Sequence, residues 1–295
     1  MFRVRRLLAP FVLCIALLFS EAQAFTIAWL SDTQNYHNAY KPIFDGMTQW
    51  IADNRAALDI RFVFHTGDVV GSWSSEDQWR QARESMGILS SASIPFLTVC
   101  GNHDIGYRMN YANFLKYVLS LRPASMSQEY GDTGSRYELF SANGRDYIFM
   151  GIAFSNKGPS EDEVNWINGV LRQYSSRDAI IITHSYLKKS ASYTTQGKAI
   201  FEKIVKANPN VFLVLCGHCR DISYKNVQLD DDGDGDPDRT VYAILSNFQG
   251  GKAGGGGYMR ILDFRDSDIY IYTYSPYYDS CEYPKGKTEA TVPLP

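Results

Sequence analysis

Five short apolar runs in this chain end alike, and that repetition constrains the fold more than any other feature. Phe25–Leu30 is followed by Ser31-Asp32-Thr33-Gln34, Ile60–Phe64 by His65-Thr66-Gly67-Asp68, and Ile94–Val99 by Cys100-Gly101-Asn102-His103-Asp104. Further on, Ala179–Thr183 runs into His184, and Val211–Cys216 into Gly217-His218. Apolar runs of this length, bounded by glycine, proline or polar residues, read as buried strands. Between the first three, Tyr40–Leu58 has helical periodicity, and a second helix starts at a Ser75/Gln78 capping box. Asp32, Asp68 and Asn102 therefore recur at the length of a β-α-β repeat. Polar side chains at the carboxyl ends of such strands gather on one sheet edge, where open α/β sheets carry their chemistry.

The middle of the chain changes character. Arg108–Leu119 reads as a helix, and Arg136–Ala142 with Arg145–Phe154 as a hairpin around Asn143-Gly144. Ser160 and Glu163 cap a helix reaching Tyr174, and Gly197–Ala207 is helical. Beyond Val211–Cys216 the chain turns all-β, with strands over Val241–Leu245, Tyr258–Phe264 and Ile269–Tyr274. With no long linker, residues 25–295 are expected to form a single domain.

Arg3, Arg5 and Arg6, the apolar stretch Leu7–Phe19 and Ala22-Gln23-Ala24 predict a cleaved signal peptide over residues 1–24, hence a secreted or periplasmic protein. An uncleaved anchor is the alternative. No second apolar run of spanning length follows, so no membrane span is expected in the mature chain. The formal net charge of −3 becomes more negative without the arginine-rich leader, so no general nucleic-acid binding is expected. Outside the leader, Cys100, Cys216, Cys219 and Cys281 allow two bridges whose pairing the spacing does not assign. Cys216 and Cys219 have the spacing of a redox or zinc pair. No second such pair accompanies them and Cys216 ends a buried strand, which argues against thiolate chemistry.

The strand-end set of Asp32, Gln34, Asp68, Asn102, His184 and His218 mixes carboxylate, amide oxygen and imidazole donors. That mixture suits Zn, Mn or Fe. Carboxylates on neighbouring strands can bracket two cations, which activate water and neutralise charge on a phosphoryl group.

In order and spacing, Asp32-x-Gln34, Gly67-Asp68, Gly101-Asn102-His103-Asp104, His184 and Gly217-His218-Cys219-Arg220 resemble the motifs of the calcineurin-like metallophosphoesterase family. The resemblance covers residues 25 to about 220. It is closest to secreted bacterial members with Asp-Thr-Gln in the first motif and a glycine-rich stretch, here Asn247–Arg260. It implies an α/β fold, a four-layer α/β/β/α sandwich of two mixed sheets, which the later strands would complete. It implies that Asp68 bridges two metals, that Asn102, His184 and His218 complete one of them, and that Asp32 holds the other. His103 would contact the phosphate and protonate the leaving oxygen, with Asp104 orienting and charging its imidazole. Water activated on the metal would attack in line, without a covalent intermediate. Asn102, His103 and Arg220 would bind substrate.

The chain departs from the family pattern twice. Gln34 stands where the family usually has histidine, and Arg220 replaces the second histidine of the last motif. Both changes fall on the Asp32 side. One divalent metal is thus expected to bind tightly and the second weakly, with Arg220 supplying some of the missing positive charge. His65 reads as a supporting or packing histidine, and His37 as a loop residue that could replace the missing imidazole.

Asp230, Asp232, Asp234 and Asp238 match part of an EF-hand calcium loop, but Val241 stands where the bidentate glutamate belongs. Calcium binding and a solvated acidic turn are both consistent with this pattern. The glycine-rich Phe248–Gly257 reads as a loop at the rim of the site, and the tyrosines of 270–278 as sheet packing, with ring stacking as the alternative. The expected activity is hydrolysis of a small phosphate mono- or diester. The alternative is a catalytically impaired pseudo-enzyme that binds metal or a phosphate ligand.

Overall fold

The computed structural model describes residues 24–121, 128–283 and 289–295. Residues 1–23 of the candidate signal peptide lie outside them. Among the described residues, no helix is long and apolar enough to cross a membrane.

The first half builds β1 (Phe25–Leu30), α1 (Lys41–Asp53), β2 (Ile60–His65), α2 (Glu76–Ser91), β3 (Phe96–Thr98), α3 (Asn102–Ile105), α4 (Ala112–Tyr117) and β4 (Gln128–Tyr130). Then come β5 (Ser135–Ala142), β6 (Arg145–Ile152), α5 (Glu161–Gln173), β7 (Asp178–Thr183), α6 (Thr195–Ile200) and β8 (Val211–Cys216). The chain closes with β9 (Asp221–Leu229), β10 (Arg239–Asn247), β11 (Met259–Phe264), β12 (Asp268–Tyr274) and β13 (Glu289–Pro293).

Two mixed sheets result. The six-stranded sheet runs β13-β12-β11-β1-β2-β3, and the seven-stranded sheet β4-β5-β6-β7-β8-β10-β9. β1, β2 and β3 are parallel, as are β6, β7, β8 and β10 in their order, so their carboxyl ends share an edge within each sheet. The late strands complete both sheets: β11 pairs antiparallel with β1, and β9 with β10.

Alternation along the strands explains the layers. Ile27, Trp29, Phe62, Phe64 and Leu97 of the first sheet pack against Phe149, Ile180, Ile182, Leu213 and Leu215 of the second. The opposite face of the first sheet carries Ala28, Leu30 and Val63 under Phe44, Met47, Trp79 and Met86 of α1 and α2. The outer face of the second carries Ile148, Met150 and Ile181 under Ile167, Leu171 and Ile200 of α5 and α6. The order is helix, sheet, sheet, helix, as the expected four-layer sandwich requires.

Local signals mostly hold. Asn143 (φ 53°) and Gly144 (φ 73°) form the tight turn between β5 and β6. Ser160 caps α5 by accepting from the Glu163 amide. Ser75 caps α2, but Gln78 does not return to it; its Oε1 accepts from the Gly71 and Ser72 amides instead, each at 2.9 Å. The helix expected over 108–119 is confined to α4, because the chain turns at Gly106 and Asn110 accepts from the Ala112 amide.

Candidate metal centre

The strand-end residues do meet. Carboxylate or imidazole atoms of Asp68, His184 and His218 lie within 4.8 Å of one another, joining the two sheets at one edge. Asp68 leaves β2 with φ 53°, Asp32 leaves β1 with φ 49°, and His218 leaves β8 with φ 69°. Left-handed backbone is uncommon for residues with a side chain, and at functional turns its cost is carried by the surrounding contacts. Those contacts are visible. Asp68 Oδ1 accepts from the His103 amide at 2.9 Å, and both oxygens of Asp32 accept from the His218 amide. A Cβ at Gly101 would sit 2.2 Å from Asp68 Oδ1, and one at Gly217 would sit 2.2 Å from Asp32 Oδ2. Both glycines are required by close approach of a carboxylate.

His184 is the centre of the cluster. Its Nδ1 lies 2.8 Å from the Thr66 carbonyl, which can only accept, so Nδ1 carries the proton and Nε2 faces the site. There Nε2 meets Asn102 Oδ1 at 3.0 Å, His218 Nδ1 at 3.1 Å and Asp68 Oδ2 at 3.4 Å. One nitrogen cannot satisfy three electron-rich neighbours. A shared cation does, and the donor set suits one. Without a cation a proton takes its place: burial acts to lower the His184 pKa, but Asp68, Asp32 and the Thr66 carbonyl together raise it to about 9. Burial and the His184 charge push His218 down to about 4, leaving it a neutral donor. Burial acts to raise Asp68, yet the His184 charge holds it below the usual carboxylate range.

The Asp32 side is arranged differently. Burial raises the Asp32 carboxyl to about 7, with His184 opposing and Asp68 adding. Gln34 Nε2 donates to Asp68 Oδ2 at 3.1 Å, while its buried Oε1 has no hydrogen-bond partner. An orphaned amide oxygen on a side chain bonded to the Asp68 carboxylate fits a weak ligand position for a hard cation. Arg220 is exposed, and its stem lies 3.4 Å from a Cβ built at Gly250.

One expected contact is replaced. Asp104 does not touch the His103 ring: it is fully buried and accepts from the Gly101 and Val70 amides at 2.8 and 3.0 Å. Position N3 of α3 turns its side chain back onto the cap backbone. His103 is exposed, and its Nδ1 lies 2.9 Å from the Gly71 carbonyl, which takes over the orienting role.

His65 is the supporting residue expected of it. Its Nε2 lies 3.0 Å from Thr33 Oγ1, its Nδ1 accepts from the Gly67 amide, and burial keeps it uncharged. Sequence reasoning missed the relay behind Asp32, in which Trp29 donates to Thr66, Thr66 to Ser31 and Ser31 to Asp32. It also missed Asn247, which donates to the His218 carbonyl. The small hydroxyl residues just before each carboxylate were the available signal. All four described cysteines are free. Cys100 and Cys216 belong to different hydrophobic clusters, which separates them. At the exposed turn between β9 and β10, Asp230, Asp232 and Asp238 bring carboxylate oxygens within 4.8 Å of one another. Asp234, expected with them, instead accepts from the Asp236 amide.

The profile of the calcineurin-like phosphoesterases matches residues 25–219, the span that carries every one of these strand ends. The chain belongs to the calcineurin-like phosphoesterase family. Over 259 residues, 86% of its length, the chain is 41% identical to the uncharacterized protein YvnB of Bacillus subtilis (strain 168), and it spans 20% of that relative. Two solved structures share the fold at TM-score 0.59. GAP50, the anchor in the inner membrane complex of Plasmodium, is 14% identical, with 92% of this chain and 89% of that one covered. The purple acid phosphatase PPD1 from yellow lupin (Lupinus luteus) seeds is 13% identical, with 92% and 54% covered.

Proposed function

We propose that the protein hydrolyses a phosphate mono- or diester outside the cytoplasm, using one firmly held divalent metal and a second, weaker one. The observation that carries this reading is the convergence of Asp68, Asn102, His184 and His218 around a single point. These four would hold the first cation, with manganese, zinc or iron fitting the donors, and Asp32 with Gln34 Oε1 would take the second. The bound metal supplies positive charge against the phosphoryl oxygens and lowers the pKa of water. His103 does the proton work. With Nδ1 donating to Gly71, its Nε2 is left to hold the proton that passes to the leaving oxygen. Asp68 fixes the His103 backbone as well, so acid and metal ligand move together. Arg220 adds charge on the side where the family's second histidine is replaced. The basic, apolar and small-residue pattern of residues 1–24 supports action beyond the cytoplasm.

The replacements at Gln34 and Arg220 favour a second reading, a binding module that keeps the fold and one metal but no longer turns over. The test is hydrolysis of para-nitrophenyl phosphate and bis-para-nitrophenyl phosphate by metal-stripped protein refilled in turn with Mn²⁺, Zn²⁺, Mg²⁺ and Ca²⁺. Metal-dependent turnover that falls about a hundredfold in His103→Ala is the expected result. Metal binding without turnover under every condition would establish the binding module instead.

A further inference from the structure

The glycine-rich loop after β10 lines a cavity of about 500 Å³. One side is bare peptide at Gly250, Gly251 and Gly255, and another carries the rings of Tyr278 and Tyr283 over buried Tyr258. Lys252 is exposed at its rim and, among the described residues, forms no ion pair.

The cavity is tied to the strand-end edge. Asn35, next to Gln34, donates to the Gln249 carbonyl, and the Gln249 amide donates to Asn247, which also holds the His218 carbonyl. The Arg220 stem lies against Gly250. The glycine loop is therefore clipped to residues adjoining two strand-end positions, and Gly250, Gly251 and Gly255 of the same loop line the cavity. The loop already accepts flat groups. At Gly256 (φ 64°) a Cβ would come 2.4 Å from the Tyr278 ring, so that ring lies directly on the backbone. Tyr258 and Tyr283 meet edge to face at 5.0 Å and 77°, which holds both rings in place. Tyr258 is further fixed by donating to the Glu282 carbonyl.

We infer that this cavity receives the organic end of the substrate, and that this end is a planar ring, as in a nucleoside phosphate. Exposed aromatic rings beside bare peptide favour a flat, partly polar group, since rings stack and free peptide groups can bond its edge. Two cations without an ion pair among the described residues, Lys252 at the rim and Arg220 against Gly250 two residues after His218, favour an anionic link from ring to phosphate. The inference rests on the phosphoesterase reading for the phosphate end, but the ring site stands on its own contacts.

The experiment is calorimetric titration of the manganese-loaded His103→Ala chain, in which turnover is suppressed, with adenosine monophosphate and with ribose 5-phosphate. The expected result is that the nucleotide binds about tenfold or more tightly than the sugar phosphate. Tyr278→Ala, at a half-exposed position, should bring the two within about twofold and leave ribose 5-phosphate binding unchanged. Gly251→Leu should do the same by filling the cavity, since a Cβ there meets nothing closer than 3.4 Å. Equal binding of both ligands, or a nucleotide preference that survives both substitutions, overturns the ring site. Hydrolysis of para-nitrophenyl phosphate and bis-para-nitrophenyl phosphate by the wild-type chain is followed in parallel. Absence of both with the ring preference intact sinks the hydrolase reading alone; turnover of either without the preference sinks the ring site alone.

Discussion

At His184 one nitrogen decides what the site can hold. Its Nδ1 is committed to Thr66, so a cation reaches Nε2 only after the proton there has left. With that proton held to about pH 9, metal uptake at pH 7.5 should release about one proton from His184. Affinity should then rise about tenfold per pH unit from 7 to 9 and level off above. Titration in buffers of different ionisation enthalpy reads the proton directly; no release at pH 7.5 would contradict the assignment. Stability follows the same groups. His184, Asp32 at about 7 and Asp104 at about 8 all hold protons more tightly folded than unfolded. A fold that binds more protons than its unfolded chain loses stability as pH rises, so the metal-free protein should melt progressively lower between about pH 7 and 9. The lowered pKa of Asp68 acts only at acid pH and does not offset this. Excess divalent metal should restore the melting temperature at pH 8; a flat or rising profile without metal would count against the buried-charge account.

Among elements, the strand-to-loop turns carry the site. Gly101 has φ −104°, open to any residue, so Gly101→Ala acts only through its Cβ against Asp68. Firm metal binding should fall by at least about tenfold in that variant while the circular dichroism spectrum stays the same. Metal content by mass spectrometry checks it, and retained stoichiometric metal would show that the turn can shift. These turns were legible in the sequence because the physics is local: an apolar run, a small residue, then a polar one. The carboxylates, Asn102 and both imidazoles emerged together for that reason. Asp104 was misread for an equally local reason, since a carboxylate at N3 of a short helix bonds the cap backbone before it can reach a neighbouring ring. β4, β9 and β13 went largely unread. β9 mixes polar and apolar residues at half-exposed positions, and β4 and β13 are short edge strands whose pairing comes from distant partners. The relay through Trp29, Thr66 and Ser31 joins two strands and is written in neither.

For the whole molecule, the layer between the sheets is the main cohesive element. Phe149 is fully buried there and meets Phe64 at 4.9 Å, Phe62 at 5.0 Å and Phe140 at 5.3 Å. Phe149→Ala should cost about 3–5 kcal/mol, read by denaturant unfolding. Because Asp32 and Asp68 hang from one sheet and His184 and His218 from the other, the same substitution should weaken metal binding from a distance. Unchanged affinity alongside lost stability would mean that the edge contacts alone align the sheets. One consequence reaches into the order in which the chain is made. β1 is an interior strand, and its neighbour on one side is β11, which begins at Met259. The carboxylates emerge from synthesis long before His184 and His218, and β1 lacks one of its two neighbours until Met259–Phe264 has been made. A centre that draws on both sheets is therefore complete only after β11 has taken its place beside β1, long after its first carboxylate has left the ribosome.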